Sequence, residues 1–164
     1  MEVARQSDFA GIAFTDLVQA LNQGQFDRVW YSIQGLLGAA GNISKLFWPV
    51  QKYELRGRQL RNALEINDDS PLQPRTFRNH FEHFDERLTD WATSPTRGAF
   101  VDSNIGPSNM IGGIDPASFM RNFDTSRFAV TYRGDTYELK PIMLEIRTIG
   151  DRAKVEVDKS FRTQ

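Results

Sequence analysis

Between Pro74 and Ala92 the residues Phe77, Phe81, Phe84, Leu88 and Trp91 recur at steps of four, three, four and three. That is the period of one face of an α-helix, and neither a strand nor a loop sustains it. The pattern predicts a helix over 74–92 that forms the backbone of a core. At about 100° per residue, Asn79, His83, Glu86 and Asp90 then fall on the face away from the stripe, and His80 and Arg87 lie along its flank. Both histidines of the chain are therefore placed beside the core and not in it.

The remaining segments fit a mainly α chain. Ile12, Ala13, Phe14, Leu17, Val18 and Leu21 give a helix over about 5–22, with Gly24 as its stop. Phe26, Val29, Trp30, Ile33, Leu37 and Ala40 give a second, in which Gly35, Gly38 and Gly41 suggest close packing against a neighbour. A phosphate-binding loop is excluded because no Gly-Lys-Ser/Thr follows a strand. Pro49 suits the start of a third helix over about 50–66. The stretch 93–118 is rich in Gly and Pro and reads as an irregular loop, either a functional flap or a disordered segment. Two short strands around Arg133-Gly134-Asp135 form a β-hairpin over 127–139. That tripeptide matches an adhesion motif, but the turn calls for glycine and polar neighbours in any case. A last helix opens at Pro141, with Ile142, Ile146 and Ile149 on one face, and loosens beyond Gly150.

With 164 residues and no cysteine, the chain suits one domain over 1–164, without disulfides, thiolate metal sites or a cysteine nucleophile. The start lacks a basic segment followed by an apolar one, and no apolar run approaches a membrane span of roughly 20 residues, so a cytoplasmic protein with no membrane contact is expected. A net charge of -1 offers no bulk steering toward nucleic acid, so any such contact must be local. The local candidate is the third helix, where Lys52, Arg56, Arg58 and Arg61 are interrupted by Glu54 alone among acidic residues. They form a patch able to guide an RNA backbone, with no aromatic platform interleaved for base stacking.

Arg78-Asn79-His80-Phe81-Glu82-His83 places a polar residue directly after an arginine and a histidine five positions on. This resembles the HEPN superfamily, whose members carry an arginine and a histidine separated by four to six residues, often with Asn, Asp or His after the arginine. The resemblance implies a HEPN-like bundle of about five helices, into which the β-hairpin read above is inserted although it is not part of the superfamily's core pattern, and a homodimer in which the motif helices meet. It implies a metal-independent endoribonuclease of a toxin-antitoxin or other defence system, with RNA as substrate, an antitoxin or other defence protein as partner, and no cofactor. Arg78 would be the cation, Asn79 the orienting group and His83 the general acid or base. Arg75 and His80 satisfy the same spacing, but Thr76 and not Asn follows Arg75, which favours the Arg78/His83 register. Arg75 and His80 join Arg56, Arg58 and Arg61 as candidate RNA contacts.

The chemistry suits these residue types. Metal-free RNA cleavage needs a base for the 2′-hydroxyl, an acid for the leaving 5′-oxygen and positive charge on the phosphorane-like transition state. An imidazole can take either proton role near neutral pH, and a guanidinium holds phosphate oxygens bidentately. Residues five apart on one helix are about 140° apart, so Arg78 can serve a partner's site. The alternative is a non-catalytic protein- or RNA-interaction module, whose helix carries ordinary solvated pairs such as Arg78 and Glu82 worth tenths of a kcal/mol. A metal site at His80 and His83 is disfavoured, since the order fits neither His-Glu-x-x-His nor Glu-x-x-His.

Overall fold

The computed structural model describes all residues except 75–79, 81–82, 95–99, 112, 115–117 and 163–164. The chain is mainly helical, with a small four-stranded sheet. It forms two compact units, one from Met1–Arg75 with Pro141–Gln164 and the other from Thr76–Lys140. No helix among the described residues is long and apolar enough to cross a membrane.

In the first unit, α1 (Glu2–Asn22) and α2 (Phe26–Phe47) form an antiparallel pair. Gly24, at φ +65°, reverses the chain between them, a conformation that costs a residue without Cβ nothing. The middle of the core is α2, which buries half of its 22 residues, among them Val29, Ile33, Leu36, Leu37, Ile43 and Phe47. Each such side chain contributes about 1.5–3 kcal/mol of apolar burial. The 3-10 turn Gln51–Tyr53 leads into α3 (Glu54–Ala63), shorter than the 50–66 read from the sequence. Its carbonyl end is capped from a distance: Arg152 Nη1 donates to the Leu64 and Glu65 carbonyls at 2.9 and 2.7 Å.

Of the three glycines that the spacing marked, Gly41 is buried in α2, whereas the other two are not. Gly35 and Gly38 face outward; a Cβ on Gly38 would meet nothing within 4 Å, and one on Gly35 only the Cβ of Ala13 at 3.4 Å. A Cβ on Gly57 would instead sit 2.5 Å from Pro49 Cδ, and one on Gly150 2.6 Å from Ser7 Cβ. Threefold spacing puts glycines on one helix face, but which face meets a neighbour is settled by packing.

The last helix of the chain, called α5 below, spans Leu139–Arg162 and continues well past Gly150, where the sequence suggested loosening. Leu139, Ile142, Ile146, Ile149 and Ala153 form its buried stripe. Lys154 donates to Asp8 at 2.6 Å beyond the Gly150 contact, and Glu145 accepts from Ser70 at 3.0 Å.

The second unit contains α4 (Phe84–Ala92) and the sheet. Strands β2 (Arg121–Asp124), β3 (Ala129–Tyr132) and β4 (Asp135–Glu138) pair antiparallel in sequence order, with Phe123 opposite Val130 and Thr131 opposite Thr136. Strand β1 (Asn104–Ile105) adds to β2 in parallel, so the stretch read as irregular loop supplies an edge of the sheet. Asn104 Nδ2 donates to Asn122 Oδ1 at 2.5 Å at that pairing. Phe119, Met120, Phe123, Ala129, Val130 and Tyr132 are buried.

The expected helix over 74–92 is not continuous. At His83 the backbone has φ -115° and ψ 41°, outside the helical region, and α4 begins only after it. No residue of α4 is fully buried, and Leu88 remains 39% exposed. Among the described residues of the stripe, Phe84, Leu88 and Trp91, none is buried, whereas α2 carries the core of the first unit. A helical period shows that a segment can form an amphipathic helix; it does not oblige a single residue such as His83 to stay within it.

Candidate functional site

The two histidines occupy opposite environments. His80, grouped on sequence with RNA contacts, is 6% exposed. Its Nε2 lies 2.8 Å from Asp135 Oδ2, its ring stacks on Tyr132 with centroids 4.7 Å apart, and Tyr137 meets it edge-on at 6.1 Å. Nδ1 is buried without a hydrogen-bond partner among the described residues. The β3–β4 turn, with Arg133 at φ +49° and Gly134 at φ +91°, swings Asp135 to this ring. His80 is thus part of the interior of the unit and not of a surface that a polymer can contact.

His83 faces solvent. It precedes the first turn of α4, its side chain is half exposed, and Nδ1 lies 3.5 Å from Glu86 Oε1. Its carbonyl accepts the amide of Arg87 at 3.0 Å. Because His83 is not helical, the expectation that it sits one helical turn from Asn79 on a shared face loses its basis. Arg75, Arg78 and Asn79 lie outside the described residues.

Next to the His80 cluster is a charged layer that the sequence did not suggest. Arg121 holds Asp102 bidentately, with Nε to Oδ1 at 2.8 Å and Nη2 to Oδ2 at 2.5 Å, and its guanidinium lies over the Phe84 ring at 5.4 Å. Burial alone would push the Asp102 carboxyl up; the Arg121 guanidinium and hydrogen bonds from Ser103 outweigh it and hold the group below its ordinary value. The hydrogen bond to Asp102 in turn raises Arg121 against the effect of its own burial. Burial pushes the Tyr132 phenol up to about 12, with Arg121, Arg87 and Arg133 opposing. Arg133 Nη1 donates to the Arg87 carbonyl at 3.1 Å, tying the β3–β4 turn to α4.

The basic patch of the first unit separates into three roles. Arg61 is mostly buried: Nη1 donates to the Phe47 carbonyl and the guanidinium lies over the Trp48 ring at 5.6 Å, so it braces the α2–α3 connection. Arg58 pairs with Glu54 at 2.9 Å. Arg56 and Lys52 are exposed and lie 5.4 and 5.3 Å from the Tyr53 ring centroid. Tyr53 is 47% exposed and supplies an aromatic ring to the patch, where the sequence pattern suggested none.

Among the described residues no group of three or more His, Asp or Glu side chains is placed to hold a metal ion. The one accessible imidazole, beside a carboxylate, can take up or release a proton at a bound substrate. Comparison with protein-family models, curated proteins and solved structures finds no match to this chain.

Proposed function

We propose that this chain is a metal-independent endoribonuclease of the type that the HEPN resemblance implies, acting in a toxin-antitoxin or other defence setting. The observation that carries the reading is the contrast between the histidines. His80 is committed to Asp135 and Tyr132, whereas His83 presents an exposed ring, so the Arg78/His83 register is the one with an imidazole able to reach RNA.

In this mechanism one His83 takes the proton of a 2′-hydroxyl, whose oxygen attacks the adjacent phosphorus. A second imidazole protonates the departing 5′-oxygen, and the products are a 2′,3′-cyclic phosphate end and a 5′-hydroxyl end. Arg78 stabilises the charge on the transition state, and Asn79 orients the phosphate. Each chain offers one accessible histidine, so acid and base come together in a homodimer joined along the motif segment. Leu88 of α4, 39% exposed, supports a partner at that point. The same observation favours the second reading, a protein- or RNA-interaction module without turnover, because an exposed apolar side chain on a helix serves docking equally well.

Purified protein is incubated with RNA in excess chelator, beside His83→Ala and His80→Ala prepared identically. Wild-type cleavage that falls by orders of magnitude in His83→Ala, with the oligomeric state retained, is the expected result. No cleavage by the wild type, or equal cleavage by His83→Ala, overturns the catalytic reading.

A further inference from the structure

We infer that the exposed surface of Lys52, Tyr53 and Arg56 is a binding platform for single-stranded nucleic acid, with Tyr53 stacking a base and the two cations holding adjacent phosphates. This goes beyond cleavage: it concerns retention of a strand, and only the choice of RNA as the natural strand rests on the proposed function.

Three observations carry it. Tyr53 is 47% exposed at the junction of a 3-10 turn and α3. Lys52 Nζ and Arg56 Cζ lie 5.3 and 5.4 Å from the ring centroid, and neither cation has a carboxylate partner among the described residues. Their neighbours are engaged otherwise, Arg58 by Glu54 and Arg61 by the Phe47 carbonyl and Trp48. Two uncommitted positive charges beside one exposed aromatic ring, in a chain of net charge -1, are a local feature and not a general basic surface.

Exposed cation–π contacts are weak, so a base can replace either cation at a ring face while the displaced charge turns to the backbone phosphate. On either side of Tyr53 in sequence, Gln51 and Glu54 line a recess of about 300 Å³ with Trp48, Pro49 and Arg61, giving polar groups to a neighbouring nucleotide. An acidic protein segment would satisfy the cations but has no use for the exposed ring. A nucleic acid strand matches both, because each nucleotide brings one π-face and one phosphate.

Binding is read by fluorescence anisotropy with a fluorescein-labelled 12-nucleotide oligothymidylate, which lacks the 2′-hydroxyl and cannot be cleaved by the proposed chemistry. The full chain should bind it, and Tyr53→Ala should weaken binding by roughly tenfold or more, while Tyr53→Phe retains it because stacking needs no hydroxyl. Replacing Lys52 and Arg56 together by Gln should weaken binding and lower the slope of log affinity against log salt by about 1.4, two phosphate contacts at about 0.7 each. Tyr53-dependent binding by a protein that cleaves no RNA would leave the platform standing and remove the ribonuclease reading. The platform is overturned if the wild type does not bind, if Tyr53→Ala binds unchanged, or if anionic vesicles bind as tightly with no dependence on Tyr53.

Discussion

Gly150→Ala tests the packing of the first unit directly. The added Cβ would lie 2.6 Å from Ser7 Cβ and 3.0 Å from Ser7 Oγ. Carbon atoms in contact rest at about 3.5–4.0 Å, so about 1 Å must be found. The Ser7 Cβ is fixed to the α1 backbone and cannot rotate away, so α1 and α5 have to shift apart. Overpacking of this kind costs about 1–3 kcal/mol, while Ala in place of Gly within a helix returns up to about 1 kcal/mol. The expected net loss is about 1–2 kcal/mol, or roughly 2–8 °C in Tm for a chain of this length. Urea unfolding followed by circular dichroism measures it, with two companions. Gly38→Ala, whose Cβ would meet nothing within 4 Å, should gain up to about 1 kcal/mol. Ser7→Gly removes the opposing Cβ, so Ser7→Gly with Gly150→Ala should be more stable than the sum of the single changes by about 1–2 kcal/mol. A Gly150→Ala protein as stable as the wild type, or strict additivity in the double variant, would refute the close approach.

The histidines should separate in stability as well as in activity: His80→Ala, which empties a buried site and leaves Asp135 without its partner, should cost about 1–3 kcal/mol in thermal melts, and His83→Ala less than about 0.5 kcal/mol. Asp102 is held below its ordinary value, so its contribution to stability is present above the unfolded carboxylate range near pH 4 and is lost as pH falls through the folded value. Asp102→Asn should flatten that acid limb of the stability profile, and an unchanged limb would sink the assignment. Tyr132 has its pKa raised to about 12, so its contribution is intact below about pH 10 and is lost between there and about pH 12. The phenolate absorbance titration should lose a late step in Tyr132→Phe; superimposable curves would contradict its burial.

Much of the helical content was legible because helix formation follows short-range periodicity. The stop at Gly24, the first two helices themselves and the stripe of Ile142, Ile146 and Ile149 all rest on residues within a few turns of one another. The stripe from Phe77 to Trp91 misled for the same reason: it satisfied the local criterion, yet His83 leaves the helical region and α4 buries none of its residues. The stretch 93–118 concealed β1 because a two-residue strand has no period of its own and exists only by pairing with β2.

The candidate site divides along the same line. Sequence was sufficient to mark Arg78, Asn79 and His83 as a motif, to group the cations of the third helix and to exclude a phosphate-binding loop and thiolate chemistry, since each depends only on residue type and spacing. Which histidine is accessible was decided by Asp135, 55 residues from His80, and by the stack with Tyr132. That Arg61 braces the structure while Arg56 stays uncommitted was decided by the Phe47 carbonyl and Trp48. Periodicity assigns a residue to a face of its own element, but burial and pairing belong to contacts between elements, and those exist only once the chain has folded.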